Sequence, residues 1–403
     1  MSELSYLEKL LDGAEVEWKL LGDVSFFEIA NSGRKPVKAS LRVVGKTPYY
    51  GANNIQDYVD GYTHDGEYVL IAEDGSASLD NYSIQYATGK FWANNHVHVI
   101  RGNSSVNSRY LFHYLCIVNF IPFLTGGGRA KLTKGQLIEI PIPIPCPNNP
   151  EKSLAIQSEI VRILDKFTAL IAELTAELTA RKRQYNYYRD QLLSFEDGEV
   201  EWKALGTICQ IGDGNHSSKY PKANEMIEQG IPFIRGTNMV NGTICNQDMK
   251  YISKEKHNEL KKGHLKAFDV LMANRGEVGK VAYVPEGYSG SNLNSQLAWL
   301  RANPEIIINR YLFFILCSST IQNKLSGEGG ALQQLTIKNI KNIQIPVPSI
   351  TVQSNIVSFL DKFDSLTNSI SEGLPREIEL RQKQYEYYRD LLFSFPKPEF
   401  VTN

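Results

Sequence analysis

Two stretches of this chain are near-copies of each other, 200 residues apart. RKRQYNYYRDQLLSF occupies 181–195 and RQKQYEYYRDLLFSF occupies 381–395, with ten of 15 aligned residues identical. Further pairs keep the same order: EVEWKLLG (15–22) with EVEWKALG (199–206), SRYLFHYLC (108–116) with NRYLFFILC (309–317), IPIPIP (140–145) with IPVP (345–348), and QSEIVRILDKF (157–167) with QSNIVSFLDKF (353–363). Blocks repeated in a fixed order mark an internal duplication, so the chain should fold as two copies of one module. The end of the chain, YYRDLLFSFPKPEF, is written like the lead-in that YYRDQLLSFEDGEVEWK supplies at the centre. The start, SYLEKLLDGAEVEWK, imitates the same junction. This pattern predicts a circular, pseudo-twofold organisation with neighbouring termini.

After each IPxP block the sequence reads as a long helix. Gln157, Ile160, Leu164, Phe167, Ile171, Leu174, Leu178, Arg181, Tyr185, Tyr188 and Leu192 follow alternating steps of three and four, the seam of a coiled coil. The second copy begins in phase at Gln353, Ile356, Leu360 and Phe363, then carries four extra residues around SEGLPRE (371–377). Such an insertion is a stutter, and Pro375 is expected to kink or break this helix. About 40 helical residues make a rod roughly 60 Å long. Two such rods, paired with each other, would separate two globules.

Between the shared blocks, 24–107 and 208–308 do not resemble each other. Both are rich in Gly, Asn, Tyr and short β-type runs such as EYVLIA (67–72), HVHVI (96–100), DVLMA (269–273) and KVAYV (280–284). Each reads as a mixed α+β globule. The expected division is a first globule over 1–150, a spacer helix over 151–196, a second globule over 197–350, a second spacer over 351–396 and a tail over 397–403. A common frame with divergent inserts suits two modules doing one job on different targets.

No catalytic constellation is legible. GKT at 45–47 lacks the first glycine of a phosphate-binding loop, and GEVGK (276–280) has the wrong spacing. NPPY, DPPY, GxSxG, HExxH and a GxGxxG after a strand are all missing. The five cysteines are scattered without a CxxC pair, which fits reduced thiols in a cytoplasmic protein and argues against a metal site. His96 and His98 alternate on one strand face, where packing or hydrogen bonding is the reading favoured over metal ligation. The longest apolar runs are too short to span a bilayer, and MSELSYLEKLLDG lacks the make-up of a secretory signal. These features favour a binding or adaptor protein over an enzyme.

Binding would then fall to the inserts and their loops. GGGRAKLTK (126–134) offers Arg129, Lys131 and Lys134, and its counterpart GEGGALQQLTIKNIKN (327–342) offers Gln333, Gln334 and Lys338. PYYGANNI (48–55) sets Tyr50, Asn53 and Asn54 around a glycine turn, and IPFIRGTNM (231–239) sets Arg235, Thr237 and Asn238 in the comparable place. ANRGEVGK adds Asn274 and Arg275, and DGNHSSKYPK adds His216 and Lys219. Asn and Gln suit adenine edges, Arg suits guanine, and Lys suits phosphate. The alternative for each is a solvated loop or a turn satisfied by its own side chains. Charge gives little help: across 24–140 eleven Lys/Arg oppose nine Asp/Glu, 11 − 9 = +2. Such a globule gains little from counterion release, so tight DNA binding would need a basic partner.

The blocks SYLEKLLDGAEVEWK, NPEKSLAIQSEIVRILDKFTALIAELTAELTARKRQYNYYRDQLLSF and GLPREIELRQKQYEYYRDLLFSFPKPE closely resemble the specificity subunits of type I restriction–modification systems, the IC-like subgroup in particular. The inserts also resemble recurrent target recognition domains, although the family's glycine–glutamine loop is replaced by GRAKLT in the first half and ALQQLT in the second. The resemblance implies an α+β protein with two target recognition domains, each reading one half of a split, asymmetric double-stranded DNA sequence, set apart by two helices pairing as an antiparallel coiled coil. It implies a non-catalytic chain that carries no cofactor of its own. Two modification subunits would bring S-adenosylmethionine and methylate adenine, and restriction subunits would cut DNA using ATP and Mg. Docking of the modification subunits is expected at the repeated helix ends, through Arg181, Tyr185, Tyr188 and Arg189 and through Arg381, Tyr385, Tyr388 and Arg389. A coiled-coil scaffold pairing two protein ligands is the competing reading, and a self-contained methyltransferase a weaker third.

Overall fold

The computed structural model describes residues 6–126, 130–196, 198–216, 219–327, 334–369 and 372–396. Its contacts divide the chain into two compact units, residues 1–172 with 380–403 (unit 1) and residues 173–379 (unit 2). The division cuts through the long helices, so each unit holds the start of one helix and the end of the other.

In unit 1 the frame closes where Val16–Leu20 pairs antiparallel with Pro141–Pro145, setting Trp18 opposite Pro143. Prolines 141, 143 and 145 have no N–H to donate, so this ladder stays two-stranded. The alternate residues Ile142 and Ile144 are fully buried. A four-stranded antiparallel sheet runs in the order Phe27–Ile29, Val97–Gly102, Tyr68–Ala72, Ile84–Ala87. A second sheet contains a short parallel pairing, Tyr49 with Trp92 and Tyr50 with Ala93.

Unit 2 repeats this plan in unrelated sequence. Glu201–Ala204 pairs with Gln344–Val347, with Trp202 opposite Pro346. Its main sheet runs Cys209–Asp213, Leu297–Ala302, Val270–Ala273, Val281–Tyr283, so in both units the order in space is first, fourth, second, third. The short parallel pairing recurs as well, Phe233 with Asn292 and Ile234 with Leu293. The two inserts that looked unlike as sequences are one fold.

The first long helix is continuous over 43 residues, Pro150–Leu192. Asn149 accepts from the Lys152 amide at 3.1 Å, and Pro150 occupies the first turn, where its missing N–H costs nothing. The second is broken into Ile350–Asn368 and Gly373–Leu392. The break falls before Pro375 rather than at it. Gly373 has φ +76°, and a Cβ there would lie 2.5 Å from the Ser365 carbonyl oxygen. Glycine therefore makes the corner, and Pro375 sits harmlessly in the first turn of the new helix.

The predicted seam is the packed face. Gln157, Ile160 and Leu164 are buried in unit 1, where Phe167 stacks on Tyr388 with centroids 5.4 Å apart. In unit 2, Gln353, Ile356 and Leu360 are buried, and Tyr188 lies 5.8 Å from both Phe359 and Phe363.

Candidate nucleic-acid interface

One set of contacts fixes each insert to its helix. Gln157 accepts from the Asn107 amide at 2.8 Å and donates to the Ser105 carbonyl at 3.1 Å. Gln353 does the same with Ile308 (2.9 Å) and Ile306 (3.0 Å). Tyr110 donates to Pro143 O and Tyr311 to Pro346 O, at 2.8 and 3.1 Å. Arg109 pairs with Asp165 at 2.9 Å and Arg310 with Asp361 at 2.6 Å. The repeated letters are thus the ones that hold a globule in register with its helix.

On this frame each main sheet ends in an edge built by two matching backbone bonds. In unit 1 the Glu73 amide donates to His96 O (2.8 Å), and the Leu132 amide to Glu73 O (2.7 Å). In unit 2 the Asn274 amide donates to Gln296 O (3.0 Å), and the Leu335 amide to Asn274 O (2.8 Å). An antiparallel bridge then sets Asp74 opposite Lys131 in one unit and Arg275 opposite Gln334 in the other. The segment after each glycine loop thereby docks beside the sheet, bringing together residues far apart in sequence.

The polar groups at the unit 1 edge neutralise one another. Glu73 takes Arg34 at 2.6 Å and Lys131 at 3.0 Å. Burial works against its charge, but the hydrogen bonds from Arg34 and Lys131 outweigh it and hold the carboxyl below its usual range. Asp74 meets His96 Nδ1 at 2.5 Å. His98 is fully buried, its Nε2 2.7 Å from Leu132 O and its Nδ1 2.9 Å from the Asn31 amide nitrogen. Burial lowers its pKa despite those partners. Both ring nitrogens are occupied, and among the described residues no cluster of His, Cys, Asp or Glu could hold a metal ion.

The remaining candidates divide into exposed and internally committed groups. Tyr50 packs edge-on against Phe91 at 5.9 Å. The Asn53 amide bonds Gly75 O, the Ala77 amide and Ser83 Oγ, and Asn54 caps the Ile55 amide, so both shape the turn. Asn238 is fully buried and binds Arg235 N, Cys245 O and Gln247 O, leaving no amide for a ligand. Arg235 donates to Asp248 O. His216 pairs with Asp213 at 3.2 Å. Lys134, Lys219, Thr237, Arg275, Gln334 and Lys338 are exposed. Arg129 and Gln333 lie outside the described residues. Sequence reasoning missed Arg34, Glu73 and Asp74 as edge residues, because their ion pairs span 39 and 22 positions.

At the repeated helix ends, Tyr185 and Tyr385 are buried inside their own units, and Arg189 and Arg389 lie over those rings while pairing with Asp190 and Asp390. Tyr188 and Tyr388 pack on the helix seam. Arg181 and Arg381 bond Gln184 and Gln384 along their own helices. The aromatic groups most open to solvent here are Tyr187 and Tyr387, 61% and 65% exposed, with Tyr388 following at 40%. Heptad phase carried that signal, since Tyr187 and Tyr387 fall off the seam.

Residues 15–181 and 198–380 both match the family described as the type I restriction modification DNA specificity domain. The chain belongs to this family. It is 47% identical over 404 residues to a putative type I restriction enzyme specificity subunit of Haemophilus influenzae, covering 97% of this chain and 98% of that one. It is 41% identical to the specificity subunit of an Escherichia coli type I restriction enzyme, with both chains fully covered. Its fold is similar to the crystal structure of the S subunit of the type I system from M. genitalium, with TM-score 0.59, 15% identity, and 96% and 98% coverage of the two chains. The chain is therefore a specificity subunit of a type I restriction–modification system. No helix among the described residues is long and apolar enough to cross a membrane.

Proposed function

We propose that each unit reads one half of a split, asymmetric sequence in double-stranded DNA, and that this chain directs partner enzymes without catalysing a reaction itself. The observation that carries this reading is the pairing of one fold and one anchoring frame with two unlike polar edges. A duplicated scaffold that presents different side chains at equivalent places reads two different texts.

In this reading the helix ends around 181–189 and 381–389, with Tyr187 and Tyr387 outermost, dock two identical modification subunits. Those subunits supply S-adenosylmethionine and most of the contact with DNA phosphates, which a near-neutral insert cannot provide. Restriction subunits supply ATP- and Mg-dependent cleavage. The complex acts in the cytoplasm, where the chromosome lies. The long helices pair antiparallel and set the gap between half-sites. One TAEL unit (within 171–182) adds about 6 Å of helix, or one to two base pairs at roughly 3.4 Å each. Removing one unit should shorten the unspecified gap and leave both half-sites unchanged, as read from methyladenine maps. Replacing residues 24–150 with another insert should change one half-site only. Altered sequence on both sides, or on neither, would sink the assignment.

A further inference from the structure

The two edges differ in a way that the family match does not address. In unit 1 the side chains of Glu73, Asp74, His96 and Lys131 satisfy one another, with Arg34 completing the set. The corresponding unit 2 positions are Asn274, Arg275, Gln296 and Gln334, held by the same backbone bonds. There Arg275, Gln296 and Gln334 are exposed, and their side chains have no hydrogen-bond or ion-pair partner among the described residues. Asn274 is 5% exposed, and its Oδ1 has no partner. A buried acceptor of this kind costs stability until a donor is found. One edge is closed on itself; the other is open.

We propose that Arg275 and Gln334 are specificity-determining residues for the half-site read by unit 2, with Arg275 taking the O6 and N7 acceptors of a guanine and Gln334 the N6 and N7 of an adenine in the adjoining base pair. This rests on the DNA-reading function proposed above. Directly opposed residues of an antiparallel bridge hold their Cβ atoms about 5 Å apart, and neighbouring base pairs are stacked about 3.4 Å apart. The two side chains therefore reach one base step together. Arg and Gln are the long planar groups that pair bidentately with those two purines in the major groove. At the matching place in unit 1, Lys131 is paired with Glu73 at 3.0 Å.

The test uses the complete complex of this chain with its modification subunits, methylating random-sequence DNA, with methyladenine mapped by sequencing. Arg275→Ala should keep the unit 1 half-site and lose the guanine preference at one position of the other, with a roughly ten- to hundredfold drop in discrimination there. Arg275→Lys should recover rate but not discrimination, because a point charge lacks the bidentate fork. Gln334→Ala should relax an adenine position within one base pair of that guanine. Two results overturn the proposal: an Arg275→Ala map identical to the parent, or an even loss of rate on all sequences with a shallower salt dependence, the mark of a phosphate contact. A parent complex that methylates no defined sequence would instead refute the underlying DNA-reading function.

Discussion

Units 1 and 2 use the same four anchors and differ in what surrounds them. Gln157 and Gln353, Tyr110 and Tyr311, Arg109 and Arg310, and Asp165 and Asp361 make equivalent bonds. Beside them, unit 1 places His113 where unit 2 has Phe314. His113 bonds Asp165 at 2.8 Å and lies 3.4 Å from the Tyr385 hydroxyl. In unit 2 a second carboxylate, Asp364, joins Asp361 on Arg310. Burial opposes the charge on Arg310, and the two carboxylates outweigh it, raising its pKa further. Duplication has kept the groups that fix position and released those that only need to be compatible. The sheet edges carry that release furthest, from a closed ion-pair set to an open Arg–Gln pair.

If the anchors are equivalent, removing them should cost the same on both sides. Gln157→Ala and Gln353→Ala each empty a buried site and strand a part-buried amide and carbonyl, and each should lower stability by about 2–4 kcal/mol. Chemical denaturation of the two variants measures this, and a large loss in only one would break the comparison. Gly373→Ala should cost about 2 kcal/mol, because a Cβ at positive φ also meets the Ser365 carbonyl. The continuous first helix has no such point, so thermal melting of Gly373→Ala sharpens the asymmetry between the helices.

A third difference is sensitivity to acid. Burial lowers the pKa of His113, with Asp165 pulling the other way, and burial likewise lowers that of His98. A histidine whose folded pKa lies below its unfolded value binds more protons when unfolded, so stability is full at neutral pH and falls as pH drops below about 6.5. Each group contributes a slope of up to about 1.4 kcal/mol per pH unit. Hydrogen exchange at pH 7.5 and 5.5 should show unit 1 amides losing protection on acidification, and His113→Phe should flatten part of that loss. The smallest expected effect is that of Lys131→Ala, at most about 1 kcal/mol, since Lys131 is exposed and Glu73 keeps Arg34. A larger loss in a denaturation midpoint would show that the unit 1 edge depends on Lys131 rather than on the shared backbone bonds.

The frame was legible because its residues repeat: the EVEWK and IPxP blocks proved to be strand partners, and the heptad steps marked the buried face of both helices. The common fold of the inserts was not, because short central strands constrain only apolar burial, which EYVLIA and DVLMA satisfy with different letters. Asn53 and Asn238 show why polar loop residues mislead, since each spends its amide on the backbone that shapes its own loop. Arg34 and Glu73 show the converse: ion pairs closed across a fold leave no trace in local spacing. Tyr185 and Tyr187 differ by two positions along one helix, and only the phase of the seam separates the buried ring from the exposed one.

The most direct test is to make the two inserts identical. A chain in which residues 208–343 replace 24–140, assembled with its modification subunits, places the unit 2 insert together with Gln334 on both anchoring frames. Mapping methyladenine on random DNA should then give a twofold-symmetric target, the unit 2 half-site facing its own inverted copy. An asymmetric target that still contains the original unit 1 half-site would contradict the account, because recognition would then lie outside the inserts.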